Sequence, residues 1–232
     1  MEFKFSIDGL EEAKKLVSPD LLKKILKRTI NQTAQDAKAE LKEEMKRVFD
    51  NPTPFTLNSV YTRLDPQELS VVIGLKDWGG KGTPASKYLA PQIFGGPREM
   101  KRSEKLLGNF YVPGTGAKLN QYGNLPPGLI TQVISALGRF KEVGFLMNVT
   151  AGSRRQNRKP RNFFMVGKNN KGLHAGVWER MANNRVRPML IFVDQPTYKE
   201  RFDFFGVVKK IVTQRLTPNF EEALRRARTI QI

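Results

Sequence analysis

From Leu22 to Val48 an apolar residue recurs every three or four positions: Leu22, Leu26, Ile30, Ala34, Ala37, Leu41, Met45 and Val48. That spacing lays one apolar face along an α-helix. Ser18-Pro19 reads as an N-cap followed by proline at the first helical position. Asn51-Pro52-Thr53-Pro54 ends the helix, because proline removes a donor and keeps the residue before it extended. The pattern predicts a helix of roughly 30 residues, about 45 Å long. Its opposite face carries Lys23, Lys24, Lys27, Arg28, Lys38, Glu40, Lys42, Glu43 and Lys46. Ahead of it Phe3, Phe5 and Ile7 alternate with polar residues, as in a short half-buried strand.

The period then changes. Residues 59–64 (SVYTRL) and 69–76 (LSVVIGLK) flank Asp65-Pro66-Gln67-Glu68, a hairpin signal. Residues 77–128 are dense in Gly and Pro, with only short periodic pieces such as Met100 to Leu107. A stretch of that kind is expected to be functional or to take its order from a partner. Leu129, Ile130, Val133, Ile134 and Leu137 restore a helical period to about Phe140. Residues 162–167, 173–181 and 187–194 then read as three strands of an antiparallel meander. Thr197 and Glu200 have the spacing of a capping box for a helix through Phe205, Val208, Val212 and Leu216. Thr217-Pro218 is expected to start another, with Phe220, Leu224, Ala227 and Ile230 on one face. The fold class is α+β: an antiparallel sheet packed with a long N-terminal helix and C-terminal helices. The expected organisation is a single domain over 1–232, with 77–128 as a loop-rich insertion.

Composition narrows the chemistry. The 232 residues include 40 Lys plus Arg against 22 Asp plus Glu, a net charge of +18, with one His and no Cys. Such a field favours polyanionic partners. Without Cys there is no thiolate or zinc-thiolate cluster, and one His builds no multi-histidine metal site. His174 lies in a strand-like segment and reads as a packed or partly exposed side chain. The acidic residues alternate with Lys or Arg, the look of a charged helix face rather than a Mg²⁺ cluster. Gly79, Gly80, Gly82, Gly95, Gly96, Gly114 and Gly116 lack the G-x-x-x-x-G-K-[ST] frame and read as turns. No catalytic residue, metal or cofactor is expected, and no apolar run reaches the roughly 20 residues of a membrane span. The densest cationic cluster is SRRQNRKPR, with Arg154, Arg155, Arg158, Lys159 and Arg161. It is expected to be an exposed arm facing DNA or another polyanion, since guanidinium forks match phosphate oxygens.

Three blocks are more specific: PTPFTLNSVYTR (52–63) with GTPASKYLAPQIFGGPREMKRSEKLL (82–107), VPGTGAKLNQYGNLPPGLITQVISAL (112–137), and RTINQTAQDAKAEL (28–41) in the opening helix. Together they resemble virion structural proteins of tailed bacteriophages. RPMLIFVDQPTYKERFDFFGVVKKIVTQRLTPNFEEAL (187–224) resembles the corresponding end of the minor tail protein Z, or tail-completion, family of siphophages, where a strand also precedes a basic helix. The resemblance implies an oligomeric, non-enzymatic component of the tail or neck, near the DNA conduit. The implied partners are copies of itself in a ring, tail tube, tail terminator or neck proteins, and phage DNA by non-specific contact, with no membrane. It implies assembly into the virion after synthesis in the host cytoplasm. Tyr88, Leu89, Gln92, Phe94, Lys118 and Tyr122 are the expected subunit-contact positions in the Gly/Pro-rich stretch. The alternative reading is a free-standing basic nucleic-acid-binding protein.

Overall fold

The structure, a computed structural model, describes residues 6–65, 67–78, 83–138, 162–168 and 172–230. The expected strand positions Phe3 and Phe5 lie outside the described residues, as do the expected turn glycines Gly79, Gly80 and Gly82. So does the whole arm Arg154, Arg155, Arg158, Lys159 and Arg161. In chain order the first elements are α1 (Leu10–Leu16), α2 (Pro19–Val48), α3 (Pro54–Leu57), β1 (Val60–Asp65), β2 (Ser70–Leu75) and α4 (Ala85–Phe94). Then follow β3 (Gly96–Pro97), α5 (Arg102–Leu107), β4 (Phe110–Pro113), α6 (Pro127–Ala136) and β5 (Asn162–Val166). The last are β6 (Gly176–Arg180), β7 (Val186–Val193), β8 (Thr197–Tyr198) and α7 (Phe204–Ile230). Long helices near both ends and antiparallel sheets between them make the fold α+β. The chain divides into two compact units, one of Met1–Gly96 with Lys199–Ile232 and one of Pro97–Tyr198. The division falls at Gly96/Pro97 and Tyr198/Lys199.

In the first unit α2 begins where its sequence says it should. Ser18 Oγ accepts the Leu21 N–H at 3.4 Å, Pro19 opens the helix and Phe49 follows its last residue. Ile25, Ala34, Ala37, Leu41 and Met45 are buried along it. Thr29 and Thr33 are buried too, and each hydroxyl donates to the carbonyl four residues earlier, Ile25 at 3.0 Å and Thr29 at 2.9 Å. Such bonds remove the cost of an unpaired hydroxyl in the core. Leu41 and Met45 share a cluster with Phe204 and Val208, and Ile25 shares another with Phe220 and Ala223. The two long helices are therefore antiparallel. The β1–β2 hairpin pairs Val60 with Leu75 through Asp65 with Ser70. Asp65 Oδ1 accepts the Gln67 and Glu68 N–H groups at 2.8 and 3.2 Å, the side-chain turn that the tetrapeptide promised.

Two sequence expectations about the C-terminal helix are corrected. Thr197 lies in β8, and α7 starts only at Phe204. Asp203 caps it: Oδ1 accepts the Gly206 N–H at 2.8 Å and its carbonyl accepts the Val207 N–H at 3.1 Å. Nor does Thr217-Pro218 begin a new helix, because α7 runs through Pro218 unbroken. A proline there deletes one backbone bond. Packing compensates: buried Leu216 and Phe220 flank it, and Asn219 Nδ2 donates to Thr33 Oγ1 at 3.0 Å and Asp36 Oδ2 at 2.9 Å on α2. Replacing Asp203 with Ala is expected to cost about 1 kcal/mol of stability. Urea unfolding of the first unit, read by Trp78 fluorescence in a Trp178→Phe background, measures it.

In the second unit four antiparallel strands lie in the order β4-β7-β6-β5. Hence β4 pairs with β7, far along the chain, with Phe110 opposite Val193 and Pro113 opposite Leu190. Leu107, Leu129, Val133 and Ile134 from α5 and α6 pack with Phe163, Val177, Met189 and Leu190 of the sheet. A buried ion pair closes the α5 end. Arg98 reaches Glu104 with both terminal nitrogens, at 2.6 and 2.5 Å, and also donates to the Glu99 carbonyl at 3.0 Å. Glu104 Oε2 accepts the Lys101 N–H at 2.7 Å as well. The Arg98 guanidinium lies 5.1 Å from the centre of the Phe110 ring.

Candidate polyanion-binding surface

The six expected contact positions divide by burial. Leu89, 2% exposed, belongs to the core of the first unit, packed with Leu41, Met45 and Phe202. Gln92 is buried too: its side-chain oxygen accepts from Arg201 Nε at 2.5 Å, and its carbonyl accepts the Arg201 and Phe202 N–H groups at 2.9 Å. The Tyr88 hydroxyl is 3.1 Å from Thr56 Oγ1 in a half-buried site, where burial pushes the phenol up despite that hydrogen bond. Phe94, at 63%, is the exposed member, its ring 5.8 Å from Phe205. In the second unit Lys118 is exposed and Tyr122 half-buried. Their loop is held by Asn120, whose Oδ1 accepts the Tyr122 and Asn124 N–H groups at 2.9 and 3.0 Å. Within residues 83–128, α4 packs in the core of the first unit, and α5, β4 and α6 contribute to the core of the second.

Gly114 and Gly116 spend their N–H groups on the Met189 and Pro188 carbonyls, both at 2.9 Å, and a Cβ on either would collide with the Pro188 carbonyl. They are sites of close backbone approach within a turn, in which the Ala117 N–H donates to the Gly114 carbonyl at 3.0 Å, as the sequence reading expects. His174 is exposed, and its carbonyl accepts the Trp178 indole N–H at 2.9 Å. No three acidic or histidine side chains among the described residues stand close enough to hold a metal ion. An open groove of about 380 Å³ between α2 and α7 is lined by Asp36, Glu40, Glu43 and Arg215 among others. Its carboxylates are occupied: Glu40 by Arg47 at 2.9 Å, Glu43 by Lys46 at 2.7 Å, Asp36 by Asn219.

Positive charge is what the first unit does present, and α2 distributes it unevenly. From Leu21 to Gln35 the helix has four cations, Lys23, Lys24, Lys27 and Arg28, and no acidic residue. From Asp36 to Arg47 it has four acids and four bases. The balanced half is laced with ion pairs, Arg47 to Glu40 and Glu44 and Lys46 to Glu43. In the amino half none of the four cations makes an ion pair or side-chain hydrogen bond among the described residues. Lys23, Lys24 and Arg28 are exposed and Lys27 is half-buried, while Ile25 and Thr29 turn inward. The end of α7 packed beside this half adds exposed Arg225 and Arg228, with Arg226 paired to Glu222. The sequence shows every one of these cations, but their lack of partners among the described residues is a tertiary fact.

No helix among the described residues is long and apolar enough to cross a membrane. No protein-family model, curated protein or solved structure matches the chain significantly.

Proposed function

We propose that this chain is a non-enzymatic structural protein of a tailed-phage virion, oligomeric and sited in the tail or neck beside the DNA conduit. The observation that carries the reading is the block 187–224, where the resemblance implies a strand followed by a basic helix. β7 (Val186–Val193) and α7 (Phe204–Ile230) have that order. The net charge of +18 suits a component that passes or flanks DNA. In this reading exposed Phe94 and the Lys118–Tyr122 loop meet neighbouring copies in a ring, or the tail tube, terminator and neck proteins. The arm carrying Arg154, Arg155, Arg158, Lys159 and Arg161 faces DNA.

Mass spectrometry of purified particles tests this directly. The expected result is the chain at a fixed stoichiometry relative to the tail tube protein. Absence from particles, or Mg²⁺-dependent DNA cleavage abolished by changing one carboxylate, would overturn it. The alternative, a free-standing nucleic-acid-binding protein, is favoured by Lys23, Lys24, Lys27 and Arg28 of α2, which have no ion-pair partner among the described residues. It predicts nucleic-acid binding without incorporation into particles.

A further inference from the structure

We infer that the amino half of α2, through Lys23, Lys24, Lys27 and Arg28, is a contact surface for the phosphate backbone of duplex DNA. The assignment requires DNA as partner but no virion, so it stands or falls separately from the reading above. Three observations converge on it. The four cations sit in the fifteen-residue stretch Leu21–Gln35, which has no acid although Asp20 stands just before it, and three of them are exposed while Lys27 is half-buried. In the other half of α2 Lys46 and Arg47 pair with carboxylates one or two turns away and Lys42 reaches the Asn58 side chain, whereas among the described residues none of these four has an ion pair or side-chain hydrogen bond. Their placement also works against the isolated fold. Lys23 with Lys27 and Lys24 with Arg28 are like charges at i,i+4, a spacing that destabilises a helix. The helix dipole favours cations at the other end.

An arrangement that folding disfavours, on an exposed face, calls for an external anion to balance it. The charge density suits a duplex: the four side chains span about 8 Å of helix axis at 1.5 Å per residue. Duplex DNA carries one charge per about 1.7 Å, so the same length offers up to four or five phosphates. Nothing in the set reads base edges. Lysine supplies point charges, and Arg28 alone has a guanidinium fork, so the contact is independent of sequence.

The test is Lys23→Gln, Lys24→Gln, Lys27→Gln and Arg28→Gln together in the full chain. Affinity for a random-sequence duplex is titrated against salt. The slope of log affinity against log salt should shrink by up to about 0.9 for each phosphate that the variant no longer engages. Lys46→Gln with Arg47→Gln, which removes paired cations of the same helix, should leave the slope unchanged. In the absence of DNA the fourfold variant should melt no lower than the parent, since two repulsive pairs are gone. The pairwise variants Lys23→Gln/Lys27→Gln and Lys24→Gln/Arg28→Gln give half the change each, and they carry the test should the fourfold variant not fold. An unchanged slope in a folded variant overturns the assignment. So does a slope reduced equally by the Lys46/Arg47 control. Binding to vesicles of anionic phospholipid without binding to DNA overturns it as well, in favour of a membrane surface. None of these outcomes depends on whether the protein is found in particles.

Discussion

Arg98→Ala is expected to destabilise the second unit by about 3–5 kcal/mol, the cost of leaving a buried charge without its partner. Glu104 is fully buried and Arg98 is 9% exposed, so water cannot replace the missing bonds without opening the α5 end of the unit. Burial alone pushes the Glu104 carboxyl up, but the Arg98 hydrogen bonds and charge and the Lys101 N–H outweigh it and hold the group below its ordinary 4.5. A folded-state value below the unfolded one means that the unfolded chain binds the proton more readily. The contribution is therefore complete above the ordinary carboxylate range and is lost as pH falls through the lowered value. Urea unfolding followed by Trp178 fluorescence in a Trp78→Phe background should show stability falling below roughly pH 4.5. In Arg98→Ala that acid dependence should flatten, because burial is left to act on Glu104 without its counter-charge. Equal stability of the two proteins at neutral pH would remove the pair from any structural role.

Phe202→Ala is expected to cost the first unit about 3–5 kcal/mol, the range for removing a buried phenylalanine. Phe202 is 1% exposed and packs with Leu41, Met45, Val60 and Leu89. Its ring centre lies 5.7 Å from Phe49 and 6.0 Å from Phe204, at interplanar angles of 60° and 83°. It joins the end of α2, the hairpin, α4 and the start of α7, so the cavity it leaves has walls on four elements that cannot all close in. Trp78 fluorescence during urea unfolding, in the Trp178→Phe background, reads the loss. A change below about 1 kcal/mol would mean that the site collapses around the smaller side chain.

Much of the fold is legible in the sequence where local patterns decide. Ser18-Pro19, the three-to-four spacing through Met45 and the Pro-rich stop suffice to bound α2. The hairpin and the three strands from Asn162 to Val193 follow from turn residues between apolar runs. The misses have physical causes. α4 hides behind Pro91, a breaker that the helix carries inside it. α1 is one short amphipathic segment whose stability comes from Ala13 packing with Ile25 and Phe220. β4 is four residues long and becomes a strand by pairing with β7. At Pro218 the sequence rule predicts a break, and the bonds from Asn219 to α2 override it.

For the candidate surface the same division holds. The sequence by itself determined the excess of positive charge, the absence of thiol and multi-histidine chemistry, and the acid-free stretch Leu21–Gln35 of α2, because composition and helical period need no tertiary information. Only the tertiary structure decided that Leu89 and Gln92 belong to the core while Phe94 stays exposed, that Gly114 and Gly116 serve close packing on β7, and that Lys23, Lys24, Lys27 and Arg28 stand unpaired among the described residues. Whether a charge has a partner depends on which distant side chains the packing of apolar faces brings within a few ångströms of it, and no local pattern encodes that distance.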